Sequence, residues 1–149
     1  MTARDLAYLP LTELSRRLRA GETSSHHIVS SCLDRIAAYD GRAHAFIDVY
    51  REAALDCAAA ADLERKAGLV RGPLHGLPIA LKDLLHVKDR VTTAGSKSWH
   101  GRVATETATA VERLLAAGIH PRLIGGADIA VELDAKRAID QGTRVALAI

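Results

Sequence analysis

The sequence GPLHGLPIALKDLLHVKDRVTTAGS, residues 72–96, is the stretch around which the rest of the chain is organised. Its apolar run, residues 77–81, predicts a short buried strand. The next two residues, Lys82 and Asp83, carry opposite charges and are followed by two leucines. With apolar neighbours on both sides, we expect the lysine to be cut off from bulk water. Such a lysine either pairs with a carboxylate or has a lowered pKa and acts as a base.

The chemistry of Lys82 has two interpretations. A desolvated, neutral lysine can activate a serine nucleophile. The alternative is a structural lysine that extends to the surface or pairs with Asp83, and physical chemistry alone favours it because most perturbed lysines are structural. Ser96 lies in a glycine-serine turn, which favours a turn-forming hydroxyl over a nucleophile. The chain contains neither a G-x-S-x-G nor an S-x-x-K motif.

The composition excludes several classes of protein. The chain has 149 residues, of which 48% are hydrophobic and 26% are charged, which is typical of one globular domain. A net charge of +2 and an aromatic content of 3% argue against a nucleic-acid or membrane partner. No apolar run approaches the roughly 20 residues of a membrane-spanning helix, and the N-terminus lacks the apolar core of a secretory signal. We therefore expect a cytoplasmic protein.

The cysteines and histidines do not indicate a metal site. Cys32 and Cys57 lack the spacing of a zinc site and lie in helical patterns, so we expect buried free thiols. The seven histidines include no H-E-x-x-H pair or similar ligand set. His75, inside residues 72–96, is expected to be structural and to hold a turn by hydrogen bonding.

Hydrophobic periodicity predicts an alternation of helices and strands. The predicted helices are one with its apolar stripe at Leu6, Leu11, Leu14 and Leu18 and its end at Gly21, one whose N-cap is among Thr23, Ser24 and Ser25 and whose end is at Asp40 and Gly41, one over residues 51–66, and one over about residues 106–117. Strands are predicted at residues 45–50, at residues 77–81 and from Ile119. A short helix at residues 129–139 and an apolar end at residues 143–149 follow. This order predicts a layered α/β fold.

The string from Gly72 to Asp83, followed by Thr92 to Ser96, resembles the N-terminal part of the amidase signature family. The flanking segments fall in the family's order too, so the resemblance covers roughly residues 11–119. It implies an incomplete α/β/α fold with a mixed sheet. Residues 1–119 would be the N-terminal part of the family's domain, and residues 120–149 a divergent or truncated tail.

The resemblance also implies a function. The family hydrolyses carboxamide C–N bonds, or passes the released ammonia onward, through a Ser-Ser-Lys triad with no metal and no organic cofactor. Lys82 corresponds to the triad lysine, whereas Ser96 corresponds to neither serine, and the family's downstream serine segments are absent. We therefore expect a catalytic lysine in a chain that is inactive alone, because a base without a nucleophile and oxyanion donors has nothing to activate. The complete enzyme would act on a small-molecule amide that the sequence does not specify.

Two other functions stay open. The chain is a candidate non-catalytic interaction protein or pseudoenzyme that self-associates through an open sheet edge. It is also a candidate amidotransferase subunit that supplies ammonia to an acylated RNA, an alternative that rests on the family resemblance alone.

Overall fold

The computed structural model describes residues 6–118 and the backbone of residues 120–124. The described residues form four α-helices, a short 3-10 helix and two strands. These are α1 (Leu11–Ala20), α2 (Ser25–Ala43), α3 (Arg51–Lys66), β1 (Pro78–Lys82), the 3-10 helix (Lys97–Trp99), α4 (Thr109–Ala116) and β2 (His120–Ile124). Within residues 6–118, α1, α2 and α3 therefore follow one another before β1 with no strand between them, in place of the predicted alternation.

Helix α1 follows only part of the predicted apolar stripe, because it begins at Leu11 and Leu6 precedes it. Leu14 and Leu18 are buried and join Leu6, Ile28 and Leu77 in one hydrophobic cluster. Leu11, at the start of the helix, is 49% exposed and does not belong to the cluster. The predicted stop is confirmed, because Gly21 adopts the left-handed conformation with φ of 69° that closes many helices.

Helix α2 begins as predicted but ends later. The Ser24 side chain accepts a hydrogen bond from the His27 N–H, which caps the first turn. The predicted end at Asp40 and Gly41 is wrong, because the helix continues to Ala43 and His44 takes the left-handed conformation. Asp40 acts beyond the helix end, where its carboxylate accepts a hydrogen bond from the Ala45 N–H at 2.8 Å.

The strand predicted at residues 45–50 is wrong. This segment is an irregular connection between α2 and α3, and it pairs with no strand in the part of the chain that the structure describes. Its weak alternation reflects side chains that pack separately: Val49 lies against the α2–α3 core, and Tyr50 lies against Leu81 and Val111.

Helix α3 has the predicted bounds and packs against α2. Val29 and Leu33 of α2 form a buried cluster with Ala58 of α3. A carboxylate links the two helices as well, because Asp62 of α3 accepts hydrogen bonds from the backbone N–H groups of Ser25, at 2.7 Å, and His26. These N–H groups have no partner within α2, so Asp62 satisfies the start of a helix distant in sequence.

The two strands form a parallel pair. Pro78 of β1 is opposite His120 of β2, and Lys82 is opposite Ile124. The pair confirms both the strand predicted in residues 77–81 and the strand predicted after Gly118. Helix α4, which lies in the connection between them, is shorter than predicted and buries Val111 against Leu81.

The observed pair fits part of an α/β fold, whereas the mixed sheet stays a prediction. The helix predicted at residues 129–139 and the apolar end at residues 143–149 lie outside the described residues. Among the helices that the structure describes, none has the length and apolar character to cross a bilayer.

Candidate functional site

Lys82 is the last residue of β1, and its side chain is exposed. The residues on either side, Leu81 and Asp83, are each 3% exposed. Successive side chains of a strand point to opposite faces, so burial of Leu81 places the Lys82 side chain on the exposed face, and Asp83 lies in the turn that follows β1. The expectation that apolar neighbours would cut Lys82 off from bulk water is therefore wrong in this structure. The exposure of Lys82 agrees with the second interpretation, in which the side chain of a structural lysine extends to the surface.

The buried carboxylate of Asp83 binds a loop ten residues away in sequence. The Thr93 N–H lies 3.1 Å and 3.0 Å from the two carboxylate oxygens, and the Thr93 hydroxyl donates a further hydrogen bond to Oδ2. The Ala94 N–H donates to the Asp83 backbone carbonyl at 3.0 Å. No ion pair between Lys82 and Asp83 is seen within the described residues, so the predicted pairing of these two side chains is not observed.

The loop that Asp83 holds is a tight turn. Ala94 and Gly95 both have positive φ, at 52° and 70°. The Thr93 hydroxyl accepts a hydrogen bond from the Gly95 N–H at 3.1 Å, and the Ser96 N–H donates to the Thr93 carbonyl at 2.9 Å. Ser96 therefore has the turn-forming position expected from its sequence context.

His75 holds the other end of residues 72–96. Its side chain is 1% exposed, and its Nδ1 accepts a hydrogen bond from the Arg71 N–H at 3.1 Å. The neutral ring then carries its proton on Nε2, which lies 3.1 Å from Oε2 of Glu64. The structural, turn-holding role predicted for His75 is confirmed.

Two glycines bring the start of β1 close to other elements. Gly76 has φ of 81°, and a Cβ placed there would lie 2.0 Å from the Ser25 Oγ at the start of α2. Gly118, just before β2, has φ of 75°, and a Cβ placed there would lie 2.8 Å from the His75 ring. The Gly76 N–H donates to the Gly118 carbonyl at 3.1 Å, which joins the entries of both strands.

The catalytic role of Lys82 stays a prediction, and the contacts around this residue were not predicted from the sequence. The bond between Asp83 and Thr93 joins two segments that sequence periodicity treats separately, and the same is true of the contact between Glu64 and His75. One usable signal existed, because a carboxylate expected to be buried needs hydrogen-bond donors and the nearby threonines supply them.

The remaining candidate ligands do not converge. No group of three or more histidine, cysteine, aspartate or glutamate side chains that could hold a metal ion occurs in the described part of the chain. Cys32 and Cys57 form no disulfide, as predicted, but both are half-buried rather than fully buried. Burial raises the pKa of the Cys57 thiol, with a smaller contribution from the charge of Asp56, and this disfavours the reactive thiolate.

Comparison with known proteins identifies related sequences. The model of the Amidase family matches residues 27–123. The chain is 46% identical over 114 residues to a glutamyl-tRNA(Gln) amidotransferase subunit of Salinispora arenicola, a match that covers 76% of this chain and 23% of the relative. It is also 44% identical over 115 residues to the protein of the same name in Thermobifida fusca. That match covers 77% of this chain and 23% of the relative.

Solved structures give the same result. The native peptide amidase from Stenotrophomonas maltophilia superposes with a TM-score of 0.73 at 35% identity, over 85% of this chain and 26% of that one. A fatty acid amide hydrolase superposes with a TM-score of 0.72 at 23% identity, over 84% of this chain and 22% of that one, and this likeness concerns the fold alone. The chain thus spans about a quarter of the length of the proteins it matches.

Proposed function

The chain belongs to the amidase family, and we propose that it is the lysine-bearing N-terminal part of an enzyme that hydrolyses carboxamide C–N bonds. The observation that carries the proposal is the position of Lys82. It is the last residue of β1, which is paired in parallel with β2, and its side chain is accessible. Open α/β sheets bind their ligands at the carboxyl ends of parallel strands, so a reactive group here is well placed.

The proposed reaction follows the triad that the family resemblance implies. The amine of Lys82 accepts the proton of a nucleophilic serine through a second serine. The nucleophile attacks the amide carbonyl, the C–N bond breaks, and the nitrogen leaves with the proton as ammonia or an amine. Water then hydrolyses the acyl-enzyme and restores the serine. The resemblance assigns both serines to segments that this sequence lacks.

The exposure of Lys82 supports the further proposal that the chain is inactive alone. A lysine base must lose its proton near neutral pH, and burial is the usual cause of that loss. In the part of the chain that the structure describes, Lys82 is exposed to water and does not have this burial. The nucleophile and oxyanion donors that would use the base are also outside this sequence.

An assay of the purified chain tests the inactivity. We expect no release of ammonia above the buffer rate from peptide amides, aliphatic amides or aromatic amides. Turnover that disappears in Lys82→Ala would contradict the proposed inactivity, because it would show that the chain supplies its own nucleophile.

A chimera tests the role of Lys82. Residues 6–118 of this chain replace the matching segment of the Stenotrophomonas maltophilia peptide amidase, which keeps its own downstream part. We expect an active chimera whose kcat falls at least about 100-fold in Lys82→Ala, the size of a lost general base. Lys88→Ala is the matched control, because Lys88 is an exposed lysine of residues 72–96 outside the strand. Equal activity of Lys82→Ala and Lys88→Ala would refute the role.

A role as an amidotransferase subunit is the second candidate. It is supported by the identity of 46% over 114 residues to the Salinispora arenicola amidotransferase subunit. The corresponding chimera with that subunit is expected to support amide transfer to glutamyl-tRNA(Gln) in the assembled amidotransferase. If only this chimera is active, the transferase assignment replaces simple hydrolysis; if only the peptide amidase chimera is active, hydrolysis is retained.

The non-catalytic alternative makes a different prediction. An interaction protein that pairs through the edge of its sheet forms dimers or larger species at micromolar concentration. Sedimentation of the purified chain measures this, and a monomer that unfolds cooperatively argues against self-association.

A further inference from the structure

We propose that Asp83 and Thr93 are positioning residues for Lys82: Thr93 binds the carboxylate of Asp83 and thereby keeps it from pairing with the Lys82 amine. The inference rests on the proposed function, in which Lys82 is the base. Its structural part, the separation of two adjacent opposite charges, is tested without any catalysis.

The inference is based on the contacts that Asp83 makes with Thr93. The side chain of Asp83 is 3% exposed, and its carboxylate oxygens accept hydrogen bonds from both the N–H and the hydroxyl of Thr93. Thr93 is itself buried, at 6% exposure. The Lys82 side chain is exposed, and no ion pair joins it to Asp83 in the part of the chain that is described. The carboxylate is thus satisfied by neutral donors while a lysine stands next to it in sequence.

Pairing would matter for the chemistry of the lysine. A carboxylate within about 4–6 Å of an amine favours the protonated, cationic form. A protonated lysine cannot accept the serine proton, so an ion pair with Asp83 would oppose the action of Lys82 as a base. Neutral donors from Thr93 avoid this conflict, because they stabilise the buried carboxylate without using the amine.

The arrangement also assigns a role to the threonine. Without its hydroxyl, the carboxylate would keep the Thr93 N–H but lose its side-chain donor. A buried carboxylate that loses a donor is destabilised, and the amine of the preceding residue is a mobile cation that can compensate. Loss of the hydroxyl is therefore expected to draw Asp83 and Lys82 together.

Competitive labelling of lysine amines in the full chain tests the proposal. The chain is treated with a trace of acetic anhydride at pH 8, and peptide mass spectrometry gives the ratio of acetylation at Lys82 to that at Lys88. In Thr93→Val we expect this ratio to fall about threefold, the effect of an accessible ion pair on the free amine. Thr93→Ser keeps the hydroxyl and is expected to keep the ratio. Adding Asp83→Asn to Thr93→Val is expected to restore it.

A purely structural role predicts a different pattern. If Thr93 only stabilises the loop, Thr93→Val loosens it and leaves the ratio unchanged or raises it, which overturns the proposal. Asp83→Asn alone gives a second test that does not need Thr93→Val to fold. Asparagine keeps an acceptor for Thr93 and has no charge, so the ratio is expected to stay at the wild-type value. A rise in Asp83→Asn would mean that Lys82 and Asp83 pair in the native chain, and this also overturns the proposal.

The two proposals fail separately. If Lys82→Ala leaves the chimera active, the base assignment is lost whatever the labelling shows. If Lys82→Ala inactivates the chimera but the labelling ratio is the same in Thr93→Val as in the wild type, only the positioning role is lost.

Discussion

The helical pair α2–α3 and residues 72–96 are held in place by different forces. The helices bury Val29, Leu33 and Ala58 in an apolar cluster. Residues 72–96 also bury apolar side chains, Leu77 and Leu81, but in addition they bury the polar side chains of His75 and Asp83, whose hydrogen bonds have specific partners. Apolar packing is non-directional and tolerates changes of similar volume, whereas hydrogen bonds fix positions. The candidate catalytic lysine thus lies in the region whose geometry is set by directional contacts.

The largest expected effect is in residues 72–96. Gly76→Ala places a methyl group 2.0 Å from the Ser25 Oγ and puts a side chain at a φ of 81°. Left-handed strain and overpacking together should lower the free energy of unfolding by about 4 kcal/mol. Urea denaturation measures this. Gly101→Ala is the matched control, because Gly101 has φ of 85° with nothing within 4 Å, and it should cost about 1 kcal/mol. Equal costs would show that the close approach at Gly76 is not rigid.

The next effect tests the apolar side of the comparison. Leu33, at 1% exposure, is replaced by alanine, and we expect a loss of about 3 kcal/mol from the buried area and the cavity left behind. Leu63→Ala on α3 is the control, since Leu63 is 66% exposed, and should change the free energy of unfolding by less than about 0.5 kcal/mol. If the two substitutions have similar costs, apolar packing does not hold this pair of helices together.

A smaller effect tests whether the helices also depend on a directional contact. Asp62→Asn removes the charge that lies against the N–H groups of Ser25 and His26. A loss of about 1 kcal/mol is expected, because a carboxylate at a helix N-terminus is stabilised by the helix dipole. Asp56→Asn, an exposed aspartate on the same helix, should be neutral by comparison. A neutral Asp62→Asn would leave the helical pair purely apolar.

The smallest effect lies on the surface of α1 and depends on pH. Hydrogen bonds from Arg16, and then from Arg17, lower the pKa of Glu13 to about 2 from a value of 4.5. Because the folded value is the lower one, the stabilisation by Glu13 is present above pH 4.5 and is lost as the pH falls toward 2. The difference in Tm between wild type and Glu13→Gln should therefore be small, constant above about pH 5, and absent near about pH 2.

The Tm values of the wild type and Glu13→Gln can also be compared at low and high salt concentration. The arginine contacts of Glu13 are accessible to water, so added salt should reduce the difference in Tm at about pH 6. Glu52→Gln, in the first turn of α3, serves as a control for the loss of an acidic residue near a helix start. A difference at Glu13 that persists at about pH 2 would contradict the assignment to its charge.

The sequence predicted the long regular elements well. Helix α3 has the predicted bounds because its alanine-rich sequence has a high helix propensity and a glycine follows it. The strand at residues 77–81 and the stop at Gly21 were found by equally local signals. Local chemistry decides these features, so a single sequence contains the information.

The errors concern contacts that the sequence pattern does not reveal. Helix α2 continues past Asp40 and Gly41 to Ala43, and the Asp40 carboxylate accepts a hydrogen bond from the N–H of Ala45 after the helix, which a stop signal at Asp40 does not anticipate. Residues 45–50 have a weak strand pattern. A strand also needs a hydrogen-bonded partner strand, and residues 45–50 have none in the described chain. The sequence pattern does not contain this information. Asp83, the residue after Lys82, is buried and bonded to Thr93 ten residues later, a contact that the sequence pattern does not reveal. The catalytic role of Lys82 was inferred from the family resemblance and not from the sequence pattern, and it stays a prediction.

The parallel pairing of β1 with β2 also bears on synthesis at the ribosome. Chains grow at roughly 5–20 residues per second, and about 40 residues separate the two strands. Strand β1 is therefore synthesised about 2–8 s before β2. Helices α2 and α3 precede β1 in the chain and can pack together before β1 is synthesised. During the interval between β1 and β2 the nascent chain presents an unpaired strand edge, which is the period in which a chaperone would protect it most.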